Sequence, residues 1–221
     1  MNILHNLRSS LRQLNAQRKE KRSLRNEPKQ WAERGYAAPS PSYIKHQVIL
    51  RNGIPNAIWV ETGTYKGDTA AILADNAKKV FTIEPATQLF EDAKMRFSAK
   101  SNVEVIHGLS EEVFPNLIPK LTGEINFWLD GHFSTGVTHQ GPKDSPIEEE
   151  LACIEKNIGN FSKIAILVDD IRYFINPSSH QFTGYPKIDV LVDWAKKNNL
   201  EWHIEHDIFV ALTQTSTGKN S

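Results

Sequence analysis

Four carboxylates stand at the ends of four apolar runs. Glu61 follows Ala57-Ile58-Trp59-Val60, Glu84 follows Val80-Phe81-Thr82-Ile83, Asp130 closes 125–130, and Asp169 closes 164–169 with Asp170 directly behind it. One acid at such a place is explained by helix capping. Four caps are needed to explain all of them that way, whereas one ligand site at a common edge explains them together. Glu61 leads into Thr62-Gly63-Thr64-Tyr65-Lys66-Gly67-Asp68-Thr69 and then Ala70-Ala71-Ile72-Leu73-Ala74, which reads as strand, glycine-containing turn and helix. The amide end of such a helix favours a ligand with a negatively charged tail. A carboxylate under the turn, Glu61, can orient that ligand through the surrounding backbone N–H groups. Glu84 lies about 20 residues further on, the separation at which dinucleotide folds place the acid that accepts ribose hydroxyls. The glycine pattern is Gly63-x-x-x-Gly67, not the close Gly-x-Gly-x-x-Gly fingerprint, which speaks against a bound pyrophosphate.

Asp130, Asp169 and Asp170 suggest a different chemistry. Three neighbouring carboxylates raise one another's pKa unless a cation neutralises them. Hard divalent ions, Mg²⁺ or Ca²⁺, take oxygen ligands of this kind. The plainer alternative is that Asp169 ends a strand and Asp170 caps a turn.

These groups need a scaffold that brings strand ends together. Seven runs read as strands: 57–61, 80–84, 103–107, 125–130, 164–169, 201–205 and 208–212. Helix-forming stretches, among them 89–100 and 148–157, separate the first five, and 43–52 reads as a helix ahead of them. Ser145 and Pro146 suit the cap and first position of the helix at 148–157. This alternation predicts βαβ units and a mainly parallel sheet. The last two strands are joined only by His206-Asp207, too short for a parallel crossover, so they form an antiparallel hairpin. Ala37-Ala38-Pro39-Ser40-Pro41-Ser42 is a linker by composition. It divides the chain into a basic helical extension and linker at 1–38, a core domain at 39–215 and a disordered tail at 216–221.

Composition narrows the setting. The 221 residues carry 26 basic and 26 acidic side chains, so any functional field is local. Residues 1–35 hold nine Lys/Arg against three Glu, and Ile3, Leu4, Leu7, Leu11 and Leu14 fall at helical spacing. The preferred reading is a solvated helix packing its Leu stripe on the domain or on a second copy, which allows a homodimer. The alternative is contact with an anionic membrane surface. No run spans a bilayer, no secretory signal is present, and the single cysteine, Cys153, is expected to be buried in a helix. A cytoplasmic protein is the simplest expectation. Phosphate-loop and nucleophile-elbow motifs are absent. Nucleic-acid binding would rest on the basic segment alone and is not expected.

The stretch from Glu61-x-Gly63-x-Tyr65-x-Gly67-x-Thr69 to Val168-Asp169-Asp170 resembles the class I S-adenosylmethionine-dependent methyltransferases. Within them it is similar to metal-dependent O-methyltransferases of the catechol type and to the macrocin-type sugar O-methyltransferases. The resemblance covers about residues 57–175 and implies an α/β fold: a Rossmann-like, doubly wound, seven-stranded, mainly parallel sheet with the antiparallel C-terminal hairpin. It implies that Gly63 and Gly67 admit the methionine half of the cofactor, that Tyr65 lies near the sulfonium, and that Thr69 helps hold the methionine carboxylate. Glu61 and Asp130 would also face the cofactor, and Glu84 would bind its ribose. Gly108, Ser110 and Glu111, in Val105-Ile106-His107-Gly108-Leu109-Ser110-Glu111, would pass the adenine. Asp130, Asp169 and Asp170 would hold a divalent metal, with Mg²⁺ the expected ion.

The chain departs from this pattern at two places. Phe133 stands where catechol-type enzymes carry a lysine base, and Asp170 where Asn is common. His132 coincides with the acidic candidate base of the sugar-type enzymes. With an unperturbed pKa near ~6.5 it suits proton removal at neutral pH, so His132 and Asp130 form the expected catalytic pair. Stacking on the adenine or capping a turn are the other roles open to His132. The polar stretches 133–142 and 176–186 could close together over a small acceptor such as a sugar. His132 and His139 match no zinc spacing. The activity implied is metal-assisted O-methylation of a small polar molecule. Two other readings stay open: a Rossmann-like enzyme using a nicotinamide or nucleotide-sugar ligand, and a non-catalytic binding module working through the basic helix.

Overall fold

The computed structural model describes residues 26–131, 145–175, 177 and 184–214. His132, His139, the loop 133–142, most of the loop 176–186, the Leu stripe of residues 3–14 and the tail at 216–221 therefore lie outside the described residues. Along the chain, α1 (26–33) and α2 (Ser42–Asn52) precede β1 (Ile58–Thr62), α3 (Asp68–Asn76), β2 (Lys79–Glu84), α4 (Thr87–Arg96) and β3 (Val103–His107). There follow α5 (Ser110–Leu117), β4 (Gly123–Leu129), α6 (Ile147–Asn157), β5 (Phe161–Val168), α7 (Arg172–Ile175), α8 (Asp189–Lys197), β6 (Leu200–Glu205) and β7 (Ile208–Thr213).

All seven strands join one sheet in the order β3-β2-β1-β4-β5-β7-β6. The first five are parallel; β7 runs antiparallel to β5, and β6 antiparallel to β7. This is the expected Rossmann-like, mainly parallel sheet with a C-terminal hairpin. His206 and Asp207, at φ 47° and 71°, make its two-residue turn, the positive-φ geometry that matches the twist of paired strands.

The central strands β1, β4, β5 and β7 are buried on both faces, because helices cover both. Ile164, Ile166 and Val168 of β5 share one cluster with Phe114 of α5, Leu151 of α6 and Trp194 of α8. Ala165 and Leu167 face the other way, with Val48 and Ile49 of α2 and Leu73 of α3. Asn126 of β4 is fully buried and holds the approach to β1: its side chain accepts the Ile54 N–H at 2.8 Å and donates to the Ile54 carbonyl at 3.0 Å. Helix α6 begins at Ile147, so Pro146 takes the cap position expected for Ser145 and not the first helical one. Pro146 flanks it, and the Pro146 carbonyl accepts the Glu150 N–H at 3.0 Å. Cys153 is half-buried on α6, less enclosed than expected.

The site follows from the strand order. Chain connectivity leaves β1 toward β2 on one side and reaches β4 on the other, so the order reverses between β1 and β4. Open α/β sheets bind ligands in the crevice outside the strand ends at such a point. Register puts Thr62 beside Ile83 and Leu129, Glu84 beside His107, and Leu129 beside Val168. Glu61, Glu84, Asp130 and Asp169 thus all stand at one edge.

Candidate functional site

The turn after β1 is shaped by what it crosses. Gly63 has φ +82°, and a Cβ there would sit 2.5 Å from the Asp130 carbonyl oxygen. The backbone of the turn therefore lies directly on the end of β4, and only glycine permits it. Gly67, at φ +78°, is the residue before α3, and a Cβ on it would meet the Phe97 ring at 2.8 Å. Between them Tyr65 is exposed, with a positive φ of 48°. The turn is fastened to Glu84: the Tyr65 N–H donates to Glu84 Oε2 at 2.7 Å and the Ala86 N–H to Oε1 at 2.9 Å. These two hydrogen bonds engage both carboxylate oxygens and fix their orientation.

Glu61 lies beneath this turn, 1% exposed, and accepts the Thr82 hydroxyl at 2.5 Å. Thr82 is in turn 2.5 Å from the Thr64 hydroxyl, which ties the turn to β2. Burial raises the Glu61 pKa from 4.5 to about 8; the Thr82 hydrogen bond opposes this, and the charges of Asp130 and Glu84 add to it. Glu61 is therefore largely protonated at neutral pH. The segment expected near the adenine adjoins Glu84, since the Gly108 N–H donates to the Glu84 carbonyl at 3.2 Å. Ser110, largely buried, and Glu111 open α5 just beyond it. Thr69, expected at the methionine carboxylate, has its hydroxyl 3.4 Å from His46 Nε2. Burial lowers the His46 pKa, against Asp68 and aided by Lys45.

Asp130, Asp169 and Asp170 do converge, each offering an oxygen within 4.8 Å of the others. A cation already stands among them. Lys45 Nζ of α2 donates to Asp169 Oδ2 at 2.6 Å, to Asp169 Oδ1 at 2.8 Å and to Asp170 Oδ1 at 3.3 Å. Burial works against the Lys45 ammonium, but the charges of Asp169, Asp170 and Asp130 outweigh it and hold its pKa above the ordinary lysine value. Arg172 takes Asp170 Oδ1 at 2.7 Å and is itself fixed on Asp207. Asp169, 3% exposed, also accepts the Asp170 N–H at 2.8 Å. A divalent ion has to displace this ammonium from both oxygens of Asp169. The donor set does not fit a metal as arranged, and the expected Mg²⁺ has no support here.

Lys45, His46, Thr82 and Arg172 are site residues that the sequence reading did not single out. Lys45 stands 124 positions from Asp169, and no local spacing rule reports such a contact.

By sequence, no family model and no curated protein matches the chain. By structure it is similar to Precorrin-6y C5,15-methyltransferase from Geobacter metallireducens GS-15, at 9% identity and a TM-score of 0.51, over 77% of this chain and 86% of that one. It is similar also to precorrin 8w decarboxylase from Methanobacterium thermoautotrophicum, at 12% identity and a TM-score of 0.51, over 81% and 93%. A third likeness, at 14% identity and a TM-score of 0.46, is to fibrillarin from Aeropyrum pernix with bound S-adenosyl-L-methionine, over 76% and 74%. At these identities the likeness is one of fold. The chain has the Rossmann-like fold found in such methyltransferases.

Proposed function

We propose that the chain is an S-adenosylmethionine-dependent methyltransferase acting on a hydroxyl of a small polar acceptor, with sugars the first class to test. The observation that carries the reading is Glu84, fixed by the Tyr65 and Ala86 N–H groups at the end of β2, between the glycine turn and Gly108. An acid held at that place suits a ribose diol. Tyr65 is exposed beside Glu84, and the turn's backbone at Gly63 lies against the end of β4.

When bound, the cofactor supplies an electrophilic methyl group: an acceptor oxygen forms the O–CH₃ bond as the S–CH₃ bond breaks, and the hydroxyl proton leaves. This chain's part is to hold the two molecules in line, which accounts for much of the rate in such transfers. A cleft of about 330 Å³ between α1 and α2, lined by Glu27, Gln30, Arg34, Ser40 and Ser42, ends on Lys45. Its volume and polarity suit a small hydrophilic acceptor. His132, outside the described residues, keeps the role of base in this proposal. Metal assistance is left out of it, because Lys45 holds the aspartates.

Calorimetry with S-adenosylmethionine and S-adenosylhomocysteine tests the reading. Saturable binding is expected for the wild type. Glu84→Ala should weaken it by about 1.5–3 kcal/mol, the worth of hydrogen bonds to a charged group. A thermal-shift panel with NAD and a nucleotide sugar separates the rival ligands. Stabilisation by NAD, with none by S-adenosylmethionine, would replace this reading with the dinucleotide one.

A further inference from the structure

The geometry points to Lys45 as the resident cation of the Asp130, Asp169 and Asp170 cluster, so that this edge of the sheet works without a divalent metal ion. The three carboxylates come from β4 and β5, whose ends place them together whatever their partners. A cluster of this kind needs compensating positive charge. Two side chains supply it. Lys45 sits between both oxygens of Asp169 and one of Asp170, with only 18% of its side chain exposed. Arg172 reaches Asp170 from the other side and is anchored by Asp207, which also accepts the Arg172 N–H at 2.8 Å. Both oxygens of the most buried aspartate are thereby used: Oδ2 by Lys45, and Oδ1 by Lys45 and the Asp170 N–H. Mg²⁺ demands near-ideal octahedral geometry at about 2.0–2.1 Å. An ion that uses the Asp169 oxygens takes the place Lys45 now holds.

The consequence is chemical. An ammonium donates hydrogen bonds and offers a single charge, whereas a divalent ion polarises a hydroxyl as a Lewis acid. Lys45 also lines the cleft between α1 and α2. An acceptor hydroxyl arriving through that cleft meets a singly charged ammonium held by aspartates, not a Lewis acid. This last step rests on the methyltransferase reading; the identity of the cation does not.

The test needs no turnover. Full-length protein is titrated with Mn²⁺, free ion being followed by electron paramagnetic resonance, and its melting temperature is measured with and without EDTA. The wild type should bind no Mn²⁺ in the micromolar range and melt at the same temperature in chelator. Lys45→Met keeps the length of the side chain and removes the charge, and should lower the melting temperature by several degrees. Lys45→Arg should recover most of that loss. Adding Asp169→Asn to Lys45→Met should also recover part of it, since one of the uncompensated charges is gone. Stoichiometric Mn²⁺ binding by the wild type, lost in Asp169→Asn, overturns the proposal even if Lys45→Met fails to fold. So does a Lys45→Met protein as stable as the wild type. Failure of S-adenosylmethionine to bind would overturn the functional reading and leave these measurements unaffected.

Discussion

The Glu61 carboxyl is enclosed beneath a turn, with the Thr82 hydroxyl as hydrogen-bond partner and Asp130 and Glu84 as charged neighbours. Its folded pKa is about 8 against an ordinary 4.5. Between those values the folded chain keeps a proton that the unfolded chain has lost. Stability therefore falls as pH rises through that window. Below it both states are protonated and the residue costs nothing; above it the full penalty is present. Glu61→Gln keeps an acceptor for Thr82 and removes the titration. Urea unfolding between pH 5 and pH 9 should show the wild type losing stability that the Gln variant retains, with a slope of at most about 1.4 kcal/mol per pH unit. Parallel pH profiles for the two proteins would count against the assignment. The place of Glu61 near the end of β1 was legible from the apolar run before it, but its protonation was not. That depends on Thr82 and on the depth of the turn, neither of which is a local property. Lys45 was illegible for the same reason: an unremarkable Lys in a helix acquires its role only when α2 packs across the strand ends.

At the scale of elements, the aim of β1 depends on how the chain enters it. Asn126 meets both backbone groups of Ile54 from inside β4, across 72 positions of sequence. Asn126→Ala leaves that N–H and carbonyl without their partner, at a cost of about 1–3 kcal/mol. Chemical denaturation should show the loss, and cofactor affinity should weaken with it, because β1 carries the glycine turn. An unchanged unfolding midpoint would show the pair to be dispensable. The strands themselves were largely legible, since each carries an apolar stretch bounded by turn residues. The errors sit where polarity misleads. β4 starts at Gly123 and β5 at Phe161, both earlier than the apolar runs suggest, because Gly123 pairs with Phe161 and Glu124 with Lys163 at the sheet's solvated end, across an irregularity that skips Ser162. Lys163 reaches Glu124 across it at 2.7 Å. An apolar-run reading starts only where burial starts.

For the whole molecule, the hairpin turn between β6 and β7 gathers segments far apart in sequence. Glu205 takes Arg51 and Asn52 of α2, His206 meets Trp31 of α1 at a ring distance of 5.8 Å, and Asp207 holds Arg172. Ser40, read as linker from its Pro and Ser neighbours, is buried and donates to the His206 carbonyl at 3.4 Å. Arg34 donates to the Pro39 carbonyl at 2.8 Å. The C-terminal hairpin thus fixes the two helices that border the cleft ending at Lys45, and through α2 it sets where Lys45 meets the aspartates. A working domain that starts at residue 39 lacks one wall of that cleft. We therefore place the boundary ahead of α1, and the comparison of two shortened chains decides it. One beginning at residue 26 keeps Trp31 against the hairpin; one beginning at residue 39 loses that ring and Arg34. Partial burial of an indole contributes about 1–3 kcal/mol, so the shorter chain should melt several degrees lower. It should still bind S-adenosylmethionine, because the glycine turn, Glu61 and Glu84 are held by β2 and by the end of β4. Equal melting temperatures would return the boundary to the Pro-Ser tract; loss of cofactor binding by the shorter chain would mean that α1 supports the cofactor half of the site as well.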